Sequence, residues 1–188
     1  MTTVLIVYAS TYGNTKKLAG QVAEGVRSVT GVTAILKEAD TVTGTDCLDA
    51  DAIIVGSPVH MGSPDWRVKK FIDDITSGLW MKDKLIGKVA GVFCTGAGFG
   101  NAGGGCELTM LGLLNNFAEL GMLIVPLPKN TPNYPLGGLQ WGPYGRSATQ
   151  EMQNVPISDE VARVGFYHGA NIARVAKELK GKQLFTNK

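Results

Sequence analysis

The chain has 188 residues, 44% of them hydrophobic and 18% charged, an ordinary globular composition long enough to bury one core. Eighteen basic against sixteen acidic residues leave a formal charge of +2, too balanced to argue for nucleic acid or an anionic membrane as partner. Cys47, Cys94 and Cys106 form no CxxC pair and the only histidines are His60 and His168, which argues against a zinc site or a disulfide framework and for a reducing cytoplasm.

Residues 4–8 (VLIVY) are apolar and largely β-branched, as a parallel strand covered on both faces would be. Asn14 can cap a helix from Thr15, in which Leu18, Val22, Ala23 and Val26 recur at helical spacing before Gly31. Residues 32–36 read as the second strand and TVTGTDCLDAD as a loop with a short helical turn. AIIVGSP is a third strand that stops at Gly56 and Pro58. Pro64 then opens a helix with Trp66, Val68, Phe71, Ile72 and Ile75 at its apolar positions. KVAGVFC is the fourth strand. Leu108, Leu111, Leu114, Ala118 and Leu120 mark the next helix, and MLIVP is the fifth strand. A Pro-, Gly- and Asn-rich loop over residues 126–156 precedes a closing helix from Asp159 to about Lys180, and KGKQLFTNK reads as a frayed end. This alternation predicts an open parallel α/β sheet in a single domain over residues 1–188. No basic segment precedes the first apolar run and no stretch approaches the ~18 uninterrupted apolar residues of a membrane span, so an unexported, cytoplasmic chain is expected.

Ligands of such sheets bind beyond the carboxyl ends of the strands. The first loop there is Ser10-Thr11-Tyr12-Gly13-Asn14-Thr15. Its hydroxyls, its glycine and the unpaired N–H groups of a helix start can wrap a phosphate without a buried cation; the alternative is a capped turn with no ligand. It is not a Walker loop, because no GK[ST] follows. In GSPVHMGSP, Val59, His60 and Met61 can present backbone and side chains to a flat ring, and Gly62 lets the chain approach closely. The glycines of TGAGFGNAGGG lie against something or move. Its GxGxxG match, Gly98 to Gly103, follows the fourth strand and not the first, which is weak support for a dinucleotide fold. No carboxylate pair is spaced as a hydrolytic dyad and no GxSxG elbow occurs.

These motifs carry a resemblance. STYGNT looks like the flavin-phosphate loop of flavodoxin-like proteins. The order GSPVHMGSP, SGLW (Ser77 to Trp80), GKVAGVF, GAGFG, LGMLIVP and GPYG (Gly142 to Gly145) is similar to the WrbA-type NAD(P)H:quinone oxidoreductases over nearly the whole chain. The resemblance implies a three-layer flavodoxin-like fold, a five-stranded parallel sheet with helices on both faces. It implies non-covalent FMN, NADH or NADPH as donor, a quinone-like acceptor and a homodimer or homotetramer. Carried over, Ser10 to Thr15 hold the phosphate, and Pro58, Val59, His60, Met61, Gly62, Thr95, Gly96, Ala97 and Gly98 flank the flavin. Tyr12, Trp80 and Tyr144 line the substrate side. The flavin carries the chemistry, so no catalytic side chain and no metal are expected. Three departures stand out. Val59-His60-Met61 replaces the family's Thr-Arg-Phe, exchanging a permanent charge for a titratable one. Leu120 stands where the family has a histidine. Residues 38–51 are shorter than the insertion that helps build the family's tetramer, which favours a dimer. The alternatives are a flavodoxin-type electron carrier, against which the charge of +2 speaks, and a flavin reductase or nitroreductase.

Overall fold

The computed structural model describes residues 1–186. β1 (Thr2–Tyr8) leads into α1 (Asn14–Arg27), and β2 (Val32–Glu38) follows. The short α2 (Gly44–Asp49) starts from a capping box between Thr43 and Asp46 and leads to β3 (Ala52–His60). The chain folds back as β4 (Ser63–Pro64), then forms α3 (Trp66–Phe71), one π-helical turn (Ile72–Thr76) and α4 (Ser77–Trp80). β5 (Val89–Gly96), α5 (Cys106–Glu119), β6 (Leu123–Ile124), α6 (Tyr134–Gly137), β7 (Gly138–Leu139), β8 (Gly142–Arg146) and α7 (Asp159–Leu179) complete the order.

Strands β2, β1, β3 and β5 lie side by side in that order, all parallel. The fifth lane is shared. β6 pairs with the start of β5, Val89 opposite Leu123, whereas β8 pairs with its end, Cys94 opposite Tyr144. Pro126 and Pro128 explain the break, since neither can donate to a ladder and the chain must leave the sheet between the two pieces. Both faces are covered, as uniformly apolar strands require. Leu5, Val7, Ile53 and Val55 pack with Phe71, Met110 and Leu113 on one side. On the other, Val4, Ile6 and Ile54 pack with Leu18, Val22 and Ile172. The three expected layers are therefore present. α1 and α7 cross with backbone against backbone. A Cβ on Gly169 would lie 2.1 Å from the Val22 carbonyl oxygen, and one on Gly25 1.8 Å from that of Phe166.

Several expected boundaries move, each for a physical reason. β3 does not stop at Gly56 and Pro58 but runs to His60. Its pairing with β1 ends at Gly56, so beyond that point one edge is free and the missing N–H of Pro58 costs nothing. Pro64 belongs to β4, and Asp65 caps the helix by accepting from the Arg67 N–H. Asn14 is the first residue of α1, and Gly13, with φ of 89°, takes the cap position. Trp66, Leu108 and Leu111 are exposed, so they are not the core positions the periodicity suggested. The inward face of α5 is Cys106, Thr109, Met110, Leu113 and Phe117. A run as apolar as LTMLGLL leaves the helical phase open, and tertiary packing decides it. The long loop is not structureless, since it holds α6 and the β7–β8 hairpin. Of the tail, residues 187 and 188 lie outside the described residues. Residues 180–185 line a cavity of about 220 Å³ with Ile86 and Lys88, at the amino-terminal edge of the sheet.

Candidate functional site

The carboxyl ends of β1, β3 and β5 bring the three loops together. After Tyr8 the chain turns so that the Ser10 hydroxyl accepts from the N–H groups of Gly13 (3.2 Å) and Lys16 (3.3 Å). The N–H groups of Thr11, Tyr12, Asn14 and Thr15 have no partner among the described residues. With no acidic residue in its first turn, α1 directs these donors and the positive end of its dipole at one spot. An anion is the group that satisfies them. The side chains of Asn14 and Thr15 serve differently from the expectation that they face the ligand. The Asn14 carbonyl accepts from the Ile157 N–H (2.8 Å) and its amide donates to the Val155 carbonyl (3.1 Å), bolting residues 154–157 to the loop. Thr15 is buried, and its hydroxyl shares a 2.7 Å hydrogen bond with that of Thr95, tying the first loop to the third.

The second loop is a hairpin. His60 pairs with Ser63, and Met61 (φ 50°) and Gly62 (φ 77°) form a two-residue turn in which both angles are positive. Met61 is fully exposed at its tip, while Val59 packs inward beside Gly96. Behind the hairpin sits a buried carboxylate that sequence reasoning missed. Asp65 accepts from Arg67 Nε (2.9 Å) and Nη2 (2.7 Å), and its Oδ2 lies 3.2 Å from His60 Nε2. Burial alone would raise its carboxyl; hydrogen bonds from the Arg67 side chain and backbone, with the charges of Arg67 and His60, outweigh that and hold it below the usual carboxylate range. Arg67 Nη2 also donates to the Thr11 hydroxyl at 3.2 Å. A guanidinium thus reaches the first loop from α3, although the hairpin itself has none. Asp65 ahead of an apolar-periodic helix is a readable cap signal; the reach of Arg67 to Thr11 has no counterpart in local spacing.

The third loop starts at buried Thr95 and passes Gly96, Ala97 and Gly98. A Cβ on Gly98 would lie 1.9 Å from the Ala102 carbonyl oxygen, and one on Gly104 1.8 Å from that of Ala97, so the glycines are required by the loop's own compactness. Arg146, also missed, closes it. Its guanidinium donates to the carbonyls of Gly98 (2.6 Å), Ala102 (2.9 Å) and Thr149 (3.0 Å). Tyr144, two residues earlier on β8, stands half-buried beside Cys94 and Cys106. Burial, then the neighbouring Cys106, pushes its hydroxyl above the usual tyrosine value. Burial also lifts the Cys94 thiol well above its ordinary value and pushes that of Cys47 up to about 12, so both are packing residues and not thiolates.

Tyr12 and Phe99 stand exposed beside these loops, 73% and 79% accessible, and offer apolar edges to a bound ring. Trp80 is not brought to them. It ends α4 at the opposite edge of the sheet and lines a cavity of about 210 Å³ with Asn116, Glu119 and Leu120. Leu120 is buried there, so within one chain neither it nor Trp80 adjoins the three loops.

Residues 5–98 match the model of the flavodoxin domain family. An NAD(P)H dehydrogenase (quinone) from Geobacter sulfurreducens is 34% identical over 209 aligned positions, covering 95% of this chain and 99% of the relative. The chain belongs to the WrbA-type, flavodoxin-like family. A flavodoxin from Aquifex aeolicus is 40% identical over 121 residues, 64% of this chain and 63% of that protein. A solved flavodoxin, WrbA-like protein from Agrobacterium tumefaciens superposes with a TM-score of 0.70 at 29% identity, covering 96% of this chain and all of that one. Membership of this family implies a flavin nucleotide as cofactor. The donor set here fits one: free amides for a phosphate, a closed glycine loop and an open hairpin for a ring.

Proposed function

We propose that this chain is an FMN-dependent oxidoreductase that carries two electrons from NADH or NADPH to a quinone-like acceptor. The observation that carries the reading is the cluster of unpartnered N–H groups at residues 11, 12, 14 and 15, set between two loops that can flank a flat ring. FMN, when bound, supplies the redox chemistry.

The chain's own residues bind, orient and exclude water. Ser10 and the free amides hold the phosphate, with no unneutralised buried carboxylate opposing it, because Asp65 is paired with Arg67. Pro58, Val59, His60, Met61 and Gly62 form one wall of the ring site; Thr95, Gly96, Ala97 and Gly98 form the other. The Thr15–Thr95 bond keeps the phosphate end and the ring end in register. Tyr12 lines the donor and acceptor side, and Tyr144 supports the ring wall from behind. Trp80 reaches a flavin only across a subunit boundary, so its place beside the acceptor requires a homodimer or homotetramer. Residues 1–188 act as one domain, and the unpaired buried thiols suit a reducing cytoplasm. Among the described residues no helix is long and apolar enough to cross a membrane.

The test is anaerobic stopped-flow absorbance of the FMN-loaded protein mixed with NADH or NADPH, then with benzoquinone. Bleaching of the flavin band and its return on quinone addition is the expected result. Tight FMN binding without bleaching by either nicotinamide would instead support an electron carrier, the reading favoured by the 40% match to the Aquifex flavodoxin.

A further inference from the structure

From the hairpin outward, an open groove of about 620 Å³ runs from His60 and Pro64 past Trp66, Lys69 and Lys70 to Asp73 and Asp74. Its floor is unusual. Trp66 is 68% exposed at the first position of α3, where the chain leaves a large flat ring uncovered although Val68 and Phe71 on the same helix are buried. Lys69 and Lys70 follow three and four residues later, so they share the Trp66 face of the helix, one turn or about 6 Å along its axis.

Each lysine is paired with a carboxylate one turn further on, Lys69 with Asp73 and Lys70 with Asp74, and all four side chains are more than half exposed. Exposed pairs of this kind hold little and yield to a stronger anion such as a dianionic phosphate. Along the helix the lysines stand between Trp66 and the aspartates, so an anion seated one turn from Trp66 is at the level of the cations and a turn short of the carboxylates. A flat apolar platform with two exposed cations one turn away is complementary to a purine whose ribose carries a phosphate. The groove opens at His60 and Pro64, on the hairpin whose other side faces the first loop. A dinucleotide with its nicotinamide at the flavin can cross there.

We infer that this groove takes the adenosine end of the electron donor, with adenine on Trp66 and the 2′-phosphate on Lys69 and Lys70, and so selects NADPH over NADH. The inference rests on the oxidoreductase reading above and deepens it. Neither Trp66 nor the two lysines belongs to the FMN loops, and their exposure means that replacing them leaves the core intact.

The test uses the full FMN-loaded chain and two redox-inactive fragments, 2′-phospho-ADP-ribose and ADP-ribose, titrated calorimetrically at low salt. The phosphorylated fragment is expected to bind at least about tenfold more tightly, the scale of one hydrogen bond to a charged group. The double variant Lys69→Met/Lys70→Met should lose that preference and keep its affinity for ADP-ribose, whereas Trp66→Ala should weaken both fragments by at least about fivefold through lost stacking. Equal affinities in the parent, an undiminished preference in the lysine variant, or unchanged binding in Trp66→Ala would each overturn the assignment. Fragment binding needs no electron transfer, so the two readings fail separately. A protein that prefers the phosphorylated fragment but whose flavin NADPH does not bleach sinks the oxidoreductase reading and keeps the nucleotide groove. Bleaching by both nicotinamides at equal rates, with no fragment preference, does the reverse.

Discussion

Acidification from pH 7.5 to 4.5 should destabilise the protein chiefly through one residue, His168. It sits in α7, fully buried beside Gly91 and Gly142, and neither ring nitrogen has a well-formed hydrogen bond among the described residues. Burial, opposed in part by the nearby Val92 carbonyl, depresses its pKa from 6.5 to about 4. The unfolded imidazole takes up a proton near its ordinary value and the folded one only near 4, so between those values the unfolded state binds more protons. Stability is therefore full above about pH 6.5, falls as the pH drops through that window and flattens below about 4. At 1.36 kcal/mol per pH unit the total is about 3 kcal/mol, a large share of the ~5–15 kcal/mol that holds a domain folded. Urea unfolding at half-unit pH steps, in the parent and in His168→Leu, isolates it. Buried carboxylates such as Asp65 titrate lower and are common to both proteins. The parent should show the slope and the variant should lack it, whatever the variant's absolute stability. The same slope in both would refute the assignment of acid sensitivity to His168.

Other perturbations separate the parts of the site. Gly169→Ala drives a methyl to 2.1 Å from the Val22 carbonyl and should lower Tm by several degrees, corresponding to about 1–3 kcal/mol of overpacking; an unchanged melting curve would mean that α7 can shift freely. Arg67→Met leaves the Asp65 carboxylate with His60 and the residue-67 backbone N–H but no guanidinium, and should destabilise by about 2–3 kcal/mol while weakening FMN binding measured by flavin fluorescence quenching. FMN affinity at the parent value would show that the brace between α3 and Thr11 is irrelevant to the cofactor. Arg146→Ala removes three carbonyl contacts, so amide hydrogen exchange over residues 97–104 should quicken by at least about tenfold and global stability change less. Ser10→Ala should lose FMN affinity through the phosphate end of the site, about 1.5–3 kcal/mol for a lost bond to a charged group; unchanged affinity would move the phosphate elsewhere.

The layers were legible because VLIVY, AIIVG and KVAGVFC are apolar along their whole length, and only a sheet covered on both faces wants such strands. The junction of the first loop was legible too, because a strand, small hydroxyl residues and a helix start follow one another directly. What remained hidden depends on contacts distant in sequence. Nothing around Asn14 shows that its side chain bonds residues 154–157, more than a hundred positions away. Arg146 follows a glycine at the end of β8, and its three acceptors are backbone carbonyls, which carry no side-chain signature. Trp80 shows the converse. Its motif resemblance suggested a place by the ring, but helices α3–α4 run away from the carboxyl edge and deliver it to the other end of the sheet.

The shared fifth lane has a consequence for how such a chain can change. β6 and β8 are anchored separately to β5, and the excursion between them, residues 125–141, carries no strand of that lane. Its ends are fixed by the sheet and its length is not. Doubling a loop of this kind costs only ~0.6 kcal/mol of closure entropy. A lineage can therefore lengthen or shorten this stretch, and so redraw the margin of the sheet beside β8 and α7, while the ladder beneath keeps its register. The sheet is inherited; the cover over it is open to revision.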